Sequence, residues 1–165
     1  MRIQNKNGFS IVEIMVYLAI FTALSILVIN SFIFILSSFN MTNINRKLLE
    51  SGSISMERIS REIRQASTID ASTTSTILVL NSHDNMGAVM TIKFVNESGK
   101  LNFYKNNNLE GTLLGSKISV TDLFFNRIPA VKSEAVKIKM ILQYSDGRKI
   151  KSENFYNTII LRGGY

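Results

Sequence analysis

Cysteine is absent from the 165 residues, which excludes both a disulfide framework and a thiolate metal site. Exported proteins also fold without such staples, so the absence assigns no compartment. Tryptophan is missing as well, and Pro129 is the single proline. The one histidine, His83, stands in the polar run Asn81-Ser-His-Asp-Asn-Met-Gly87 beside Asp84. It reads as a solvated loop residue, because a metal site or a catalytic dyad needs more partners than this stretch offers. No glycine-rich phosphate loop, H-E-x-x-H or G-x-S-x-G occurs. The loops at Asp84/Asn85 and 106–108 carry oxygen donors for calcium, but without EF-hand spacing. The expectation is therefore a non-enzyme without cofactor or metal.

The formal net charge is +7, which raises nucleic acid and anionic membranes as partners. The basic residues are scattered, however, at Arg46/Lys47, Arg58/Arg61/Arg64, Lys137/Lys139 and Arg148/Lys149/Lys151. They form no long block and no aromatic-basic interleaving of the RNA-binding kind. Solvation, or a basic surface facing an anionic envelope, is the favoured reading, and DNA the lesser one. Average hydropathy conceals a division: residues 9–39 are almost wholly apolar, and the rest reads as a soluble α+β segment.

Residues 1–8 are polar and carry Arg2 and Lys6, whereas no charge appears from Ile14 to Leu36. That run exceeds the ~20 residues a helix needs to cross a bilayer core, and in lipid only a continuous helix satisfies its backbone. The basic residues before it favour N-terminus in, C-terminus out. A secretory signal peptide is a poor fit, since the run is too long and no A-x-A site closes it. A plain signal anchor fits the hydropathy equally well. Glu13 separates the two readings, being the sole charge within residues 9–39. A carboxylate in or near hydrocarbon costs about 2.5–3.5 kcal/mol and is a functional candidate by default. The positions one turn on, Val16 and Tyr17, offer it no cation.

Lys6-Asn-Gly8, then Phe9-Ser-Ile-Val-Glu13, then the apolar run, resembles the type III signal of prepilins and pseudopilins. The resemblance implies a leader of residues 1–8, a hydrophobic transmembrane and assembly helix at 9–39, and a soluble pilin-like domain at 40–165. It further implies that a membrane aspartyl peptidase, the prepilin peptidase, cuts after Gly8 and methylates the new N-terminal Phe9. Glu13, fifth in the cleaved chain, would pair with the α-amine of Phe9 of the neighbouring subunit, so that two costly charges compensate each other. The implied partners are other pilin or pseudopilin subunits, the prepilin peptidase, an inner-membrane assembly platform, and the lipid bilayer before assembly. The implied location is the cytoplasmic membrane, single-pass, then an extracytoplasmic or cell-surface filament.

Major pilins often carry Pro or Gly inside the apolar segment. Here Thr22, Asn30 and Ser31 stand there instead, and Asn30-Ser31 is the expected weak point. Ile59-Ser-Arg-Glu-Ile-Arg-Gln-Ala66 and Asn157-Thr-Ile-Ile-Leu-Arg162 resemble J-type minor pseudopilins of type II secretion and PilW-like minor pilins. That narrows the expectation to a minor subunit at or near a filament tip. The alternatives are a major pilin of the shaft and a DNA-binding minor pilin of a competence pilus.

Past the apolar run, residues 40–66 continue as an amphipathic helix. Leu49, Met56 and Ile63 share one heptad position and Gly52, Ile59 and Ala66 another, forming one apolar stripe. Glu57–Arg61 and Arg58–Glu62 are i,i+4 pairs expected on the opposite face. Ser51-Gly52-Ser53 is a candidate kink. Residues 67–76 read as a loop, followed by strand patterns at 77–80, 89–95, 101–105, 111–114, 120–126, 136–144 and 149–161. Asn96-Glu-Ser-Gly99, Asn106-Asn-Asn108 and Ser145-Asp-Gly-Arg148 are the expected turns. The fold class is α+β: a long N-terminal helix packed on an antiparallel sheet spanning 77–162, in the layout the resemblance implies.

Overall fold

A computed structural model describes residues 10–84, 86–129, 133–147 and 149–162. Gly8 and Phe9 lie outside the described residues. The architecture is α+β, one long helix α1 (Ile11–Gln65) followed by antiparallel strands. Contacts divide the chain into two units, meeting at Asn43/Ile44.

Within the first unit, α1 begins where the Ile14 N–H reaches the Ser10 carbonyl (3.2 Å). The large apolar side chains from Ile11 to Phe39 are all exposed. Three hydroxyls in this stretch bond to the helix itself. The Thr22, Ser25 and Ser31 hydroxyls donate to the carbonyls of Leu18, Phe21 and Leu27 at 2.7, 2.8 and 2.9 Å. The helix runs through Asn30-Ser31. The Ser31 hydroxyl adds a bond to the turn below and leaves the ladder intact.

In the second unit α1 buries Ile44, Leu48, Gly52, Met56, Ile59 and Ile63. The expected stripe is correct from Gly52 onward but wrong at its start, where Leu49 is 51% exposed and Leu48 is fully buried. Ile44, Leu48 and Gly52 follow one another at one-turn spacing and carry the buried face there, while Leu49 stands about 100° round the helix from Leu48. α1 runs unbroken through Ser51-Gly52-Ser53. A Cβ there would lie 2.0 Å from Cζ of Phe155, so the missing side chain lets that ring approach the helix backbone. Both predicted ion pairs form, Arg58–Glu62 at 2.9 Å and Arg61–Glu57 at 2.8 Å. Only the second sits on the outer face. The Glu62 side chain is 9% exposed, and the Arg58 guanidinium lies 4.9 Å from the centre of the Phe103 ring.

The strands are β1 (Thr68–Ile69), β2 (Ile77–His83), β3 (Val89–Glu97), β4 (Lys100–Lys105), β5 (Asn108–Thr112), β6 (Ile118–Ile128), β7 (Ala135–Ser145) and β8 (Ile150–Ile160). They form two sheets where one was expected: five strands in the order β1-β2-β3-β4-β5, and three in the order β6-β7-β8. Between β5 and β6 no ladder forms. Single backbone bonds, Val120 N–H to Gly99 O and Phe125 N–H to Ser75 O (both 2.8 Å), join β6 to the turns of the first sheet. Both sheets and the helix share one core, with Ile59 and Ile63 from α1, Phe94 and Leu101 from the first sheet, and Ile138 and Met140 from the second.

Residues 67–76, expected as loop, contain β1; β2 runs on to His83, and β5 begins at Asn108 rather than at residue 111. Two hairpins carry positive φ at both central positions, Ser98 (52°) with Gly99 (78°) and Asn106 (50°) with Asn107 (65°). This is the turn geometry whose twist matches that of the strands it joins. Along β7 the predicted alternation holds, with Val136, Ile138, Met140, Leu142 and Tyr144 all buried.

Candidate assembly site

Ser10 opens α1, which places Glu13 in the first turn. The first N–H groups of a helix lack intrahelical partners, and the helix dipole favours an anion there. Glu13 therefore gains from its own helix as well as from any partner. Its side chain also has a hydrogen-bond partner: the Tyr17 hydroxyl donates to Glu13 Oε1 at 2.9 Å. Helical side chains lean toward the N-terminus, so a residue at i+4 reaches back over residue i. Val16 and Tyr17 offer no cation, but the Tyr17 phenol is a donor in its own right. The signal was present as a Glu and a Tyr four residues apart.

Beyond Glu13, α1 is long and apolar enough to cross a membrane, and none of that apolar window is buried. The structure thus sets one carboxylate, with one local donor, at the head of an uncovered apolar helix. The companion processing positions, Gly8 and Phe9, lie outside the described residues.

The other sequence candidates belong to turns and strand ends. His83 closes β2 rather than sitting in a loop, and its Nδ1 is 3.0 Å from the Ser67 hydroxyl. Asp84 Oδ1 accepts the Met86 and Ala88 N–H groups at 2.8 and 2.9 Å, which holds its carboxyl below the ordinary value. Asn106 Oδ1 accepts the Thr91 N–H at 2.9 Å. These oxygens shape turns, and among the described residues no three His, Asp or Glu side chains converge as a metal cluster. Several basic residues face carboxylates: Lys139 to Asp122 at 3.0 Å, Lys151 to Glu153 at 3.5 Å, and Arg127 to Glu134. Local pairing of this kind dilutes the charge that a phosphate-binding face would need. No family of known proteins, no curated protein and no solved structure matches the chain.

Proposed function

We propose that the chain is a subunit of a type IV pilus-like or type II secretion-like filament, a minor pilin or pseudopilin at or near the tip. In this reading it is inserted in the cytoplasmic membrane with its C-terminal unit outside. It is then clipped after Gly8 by prepilin peptidase and assembled through its N-terminal helix.

One observation carries the reading: Glu13 heads an apolar helix whose side chains, from Ile11 to Phe39, nothing covers. A lone anchor gains little from a carboxylate at that boundary beyond the favourable helix N-terminus, since deleting it makes insertion cheaper. A subunit that packs such helices side by side can use it. Cleavage creates a new positive amine at Phe9, and a neighbour's Glu13 compensates that charge and sets the axial register. Before assembly, acyl chains cover the apolar side chains; afterwards, equivalent helices do.

Intact-mass and N-terminal peptide analysis of protein from the cell envelope tests the reading. The expected product begins at Phe9 with an N-methyl group. A mature chain that still begins at Met1, or is cut beyond Leu36, overturns it.

A further inference from the structure

We infer that Tyr17 is the positioning residue of the assembly site, holding the Glu13 carboxylate by one oxygen so that the other receives the incoming amine. The inference rests on the filament reading above and adds a third member to the expected ion pair.

A carboxylate at a lipid boundary, or between packed helices, has two oxygens to satisfy, and one ammonium group satisfies them poorly. Of the residues from 14 to 21, only Tyr17 has a side-chain hydrogen-bond donor of ordinary strength. Thr22, one turn further on, directs its hydroxyl to the Leu18 and Ala19 carbonyls at 2.7 and 2.9 Å. Tyr17 donates to Oε1. Among the described residues, Tyr17 is the side chain that hydrogen-bonds to Glu13, and it engages one carboxylate oxygen, Oε1.

The benefit runs both ways. Tyr17 lies one turn further into the apolar run, about 6 Å along the axis, where a phenol without an acceptor is costly. Glu13 supplies that acceptor, and Tyr17 fixes the rotamer of a side chain that would otherwise snorkel toward the headgroups. The carboxylate is held close to the helix surface. An amine arriving from a neighbour then meets a positioned acceptor, so less conformational freedom is lost on pairing.

A mutant cycle in the native host tests this. Sheared filaments and membranes are quantified by immunoblot, and clipping after Gly8 is followed separately by mass spectrometry. Tyr17→Phe keeps the ring and deletes one oxygen. A hydrogen bond to a charged group justifies an expected fall of roughly tenfold in the filament-to-membrane ratio, with clipping and membrane content unchanged. Glu13→Asp keeps the charge but withdraws the carboxylate from both the phenol and the neighbour's amine, so a fall of at least roughly tenfold is expected. Combining the two should add less than about threefold, because both remove the same contact.

Normal assembly of Tyr17→Phe while Glu13→Ala fails overturns the role of Tyr17 and leaves the filament reading standing. A full second tenfold loss in the combined variant also overturns it, since the phenol would then act elsewhere. Normal assembly of Glu13→Ala overturns the ion pair and with it the role of Tyr17, leaving Glu13 a boundary residue, whereas an unclipped native chain removes the filament reading itself.

Discussion

Gly52 is the position where a single methyl group should report how β8 meets the helix. Built on that residue, a Cβ lies 2.0 Å from Phe155 Cζ and 2.4 and 2.5 Å from the two Cε atoms. Ordinary carbon contacts need about 3.5–4.0 Å, so the ring must withdraw by roughly 1.5 Å. Phe155 packs against the core cluster and pairs with Met140 across the sheet, so its retreat is resisted. Overpacking of this kind costs about 1–3 kcal/mol. Against it stands the gain from Gly→Ala in a helix interior, about 1 kcal/mol. Gly52→Ala should therefore destabilise by up to about 2 kcal/mol, or up to about 8 °C in Tm for a unit of this size. In a Phe155→Leu background the obstacle is gone, and the same substitution should raise Tm by about 2–4 °C. Thermal melts of the four variants, in the 40–165 fragment or the full chain in detergent, measure this reversal. Equal shifts in both backgrounds would show that the ring does not press on residue 52.

The unit starting at Ile44 has its own core, so residues 40–165 should fold alone with a cooperative melt and a mixed α+β circular dichroism spectrum; a spectrum without β signal would refute this. Arg58→Ala strips the buried Glu62 carboxylate of its cation and exposes Phe103, so a loss of about 1–3 kcal/mol is expected in urea unfolding. Arg61→Ala, at a pair whose side chains are 54% and 71% exposed, should cost under about 0.5 kcal/mol; equal costs would contradict the burial of Glu62. The Asp70 carboxyl is lowered from 3.8 to about 2, chiefly by the Ser72 hydroxyl, with the Ser72 N–H and the Asn81 amide adding to it. A depressed carboxyl stabilises the fold above pH 3.8 and loses that contribution as pH falls through 2. The Tm gap between wild type and Asp70→Asn should thus narrow between pH 4 and pH 2, and a gap constant with pH would count against those hydrogen bonds.

Local chemistry made several features legible from the chain alone. A charge-free run wrote the apolar helix, and Glu13 stood out because a carboxylate there is expensive. Alternation along residues 136–144 wrote the buried face of β7, and Ser98-Gly99 and Asn106-Asn107 wrote two hairpins, since few residues accept positive φ. The Glu13–Tyr17 bond is equally local, a phenol one turn from a carboxylate, and carries no charge pattern to mark it.

What the chain alone left undecided depends on groups far apart in it. Periodicity says which side chains share a face, but not whether β5 and β6 pair, so one sheet was expected where two exist. Ser51-Gly52-Ser53 reads as a candidate kink in the chain alone, whereas in the fold Phe155, more than a hundred residues away, stands against Gly52. Likewise Glu62 reads in the chain as a surface partner of Arg58, yet its side chain is 9% exposed in the fold, and Ser60 is unremarkable until Asn157 donates to its hydroxyl at 3.1 Å. Propensity, hydropathy and turn chemistry act over a few residues and are written in sequence order. The burial of one particular carboxylate, or the need for one particular glycine, is set by whichever distant element arrives opposite it, and only the folded chain decides that.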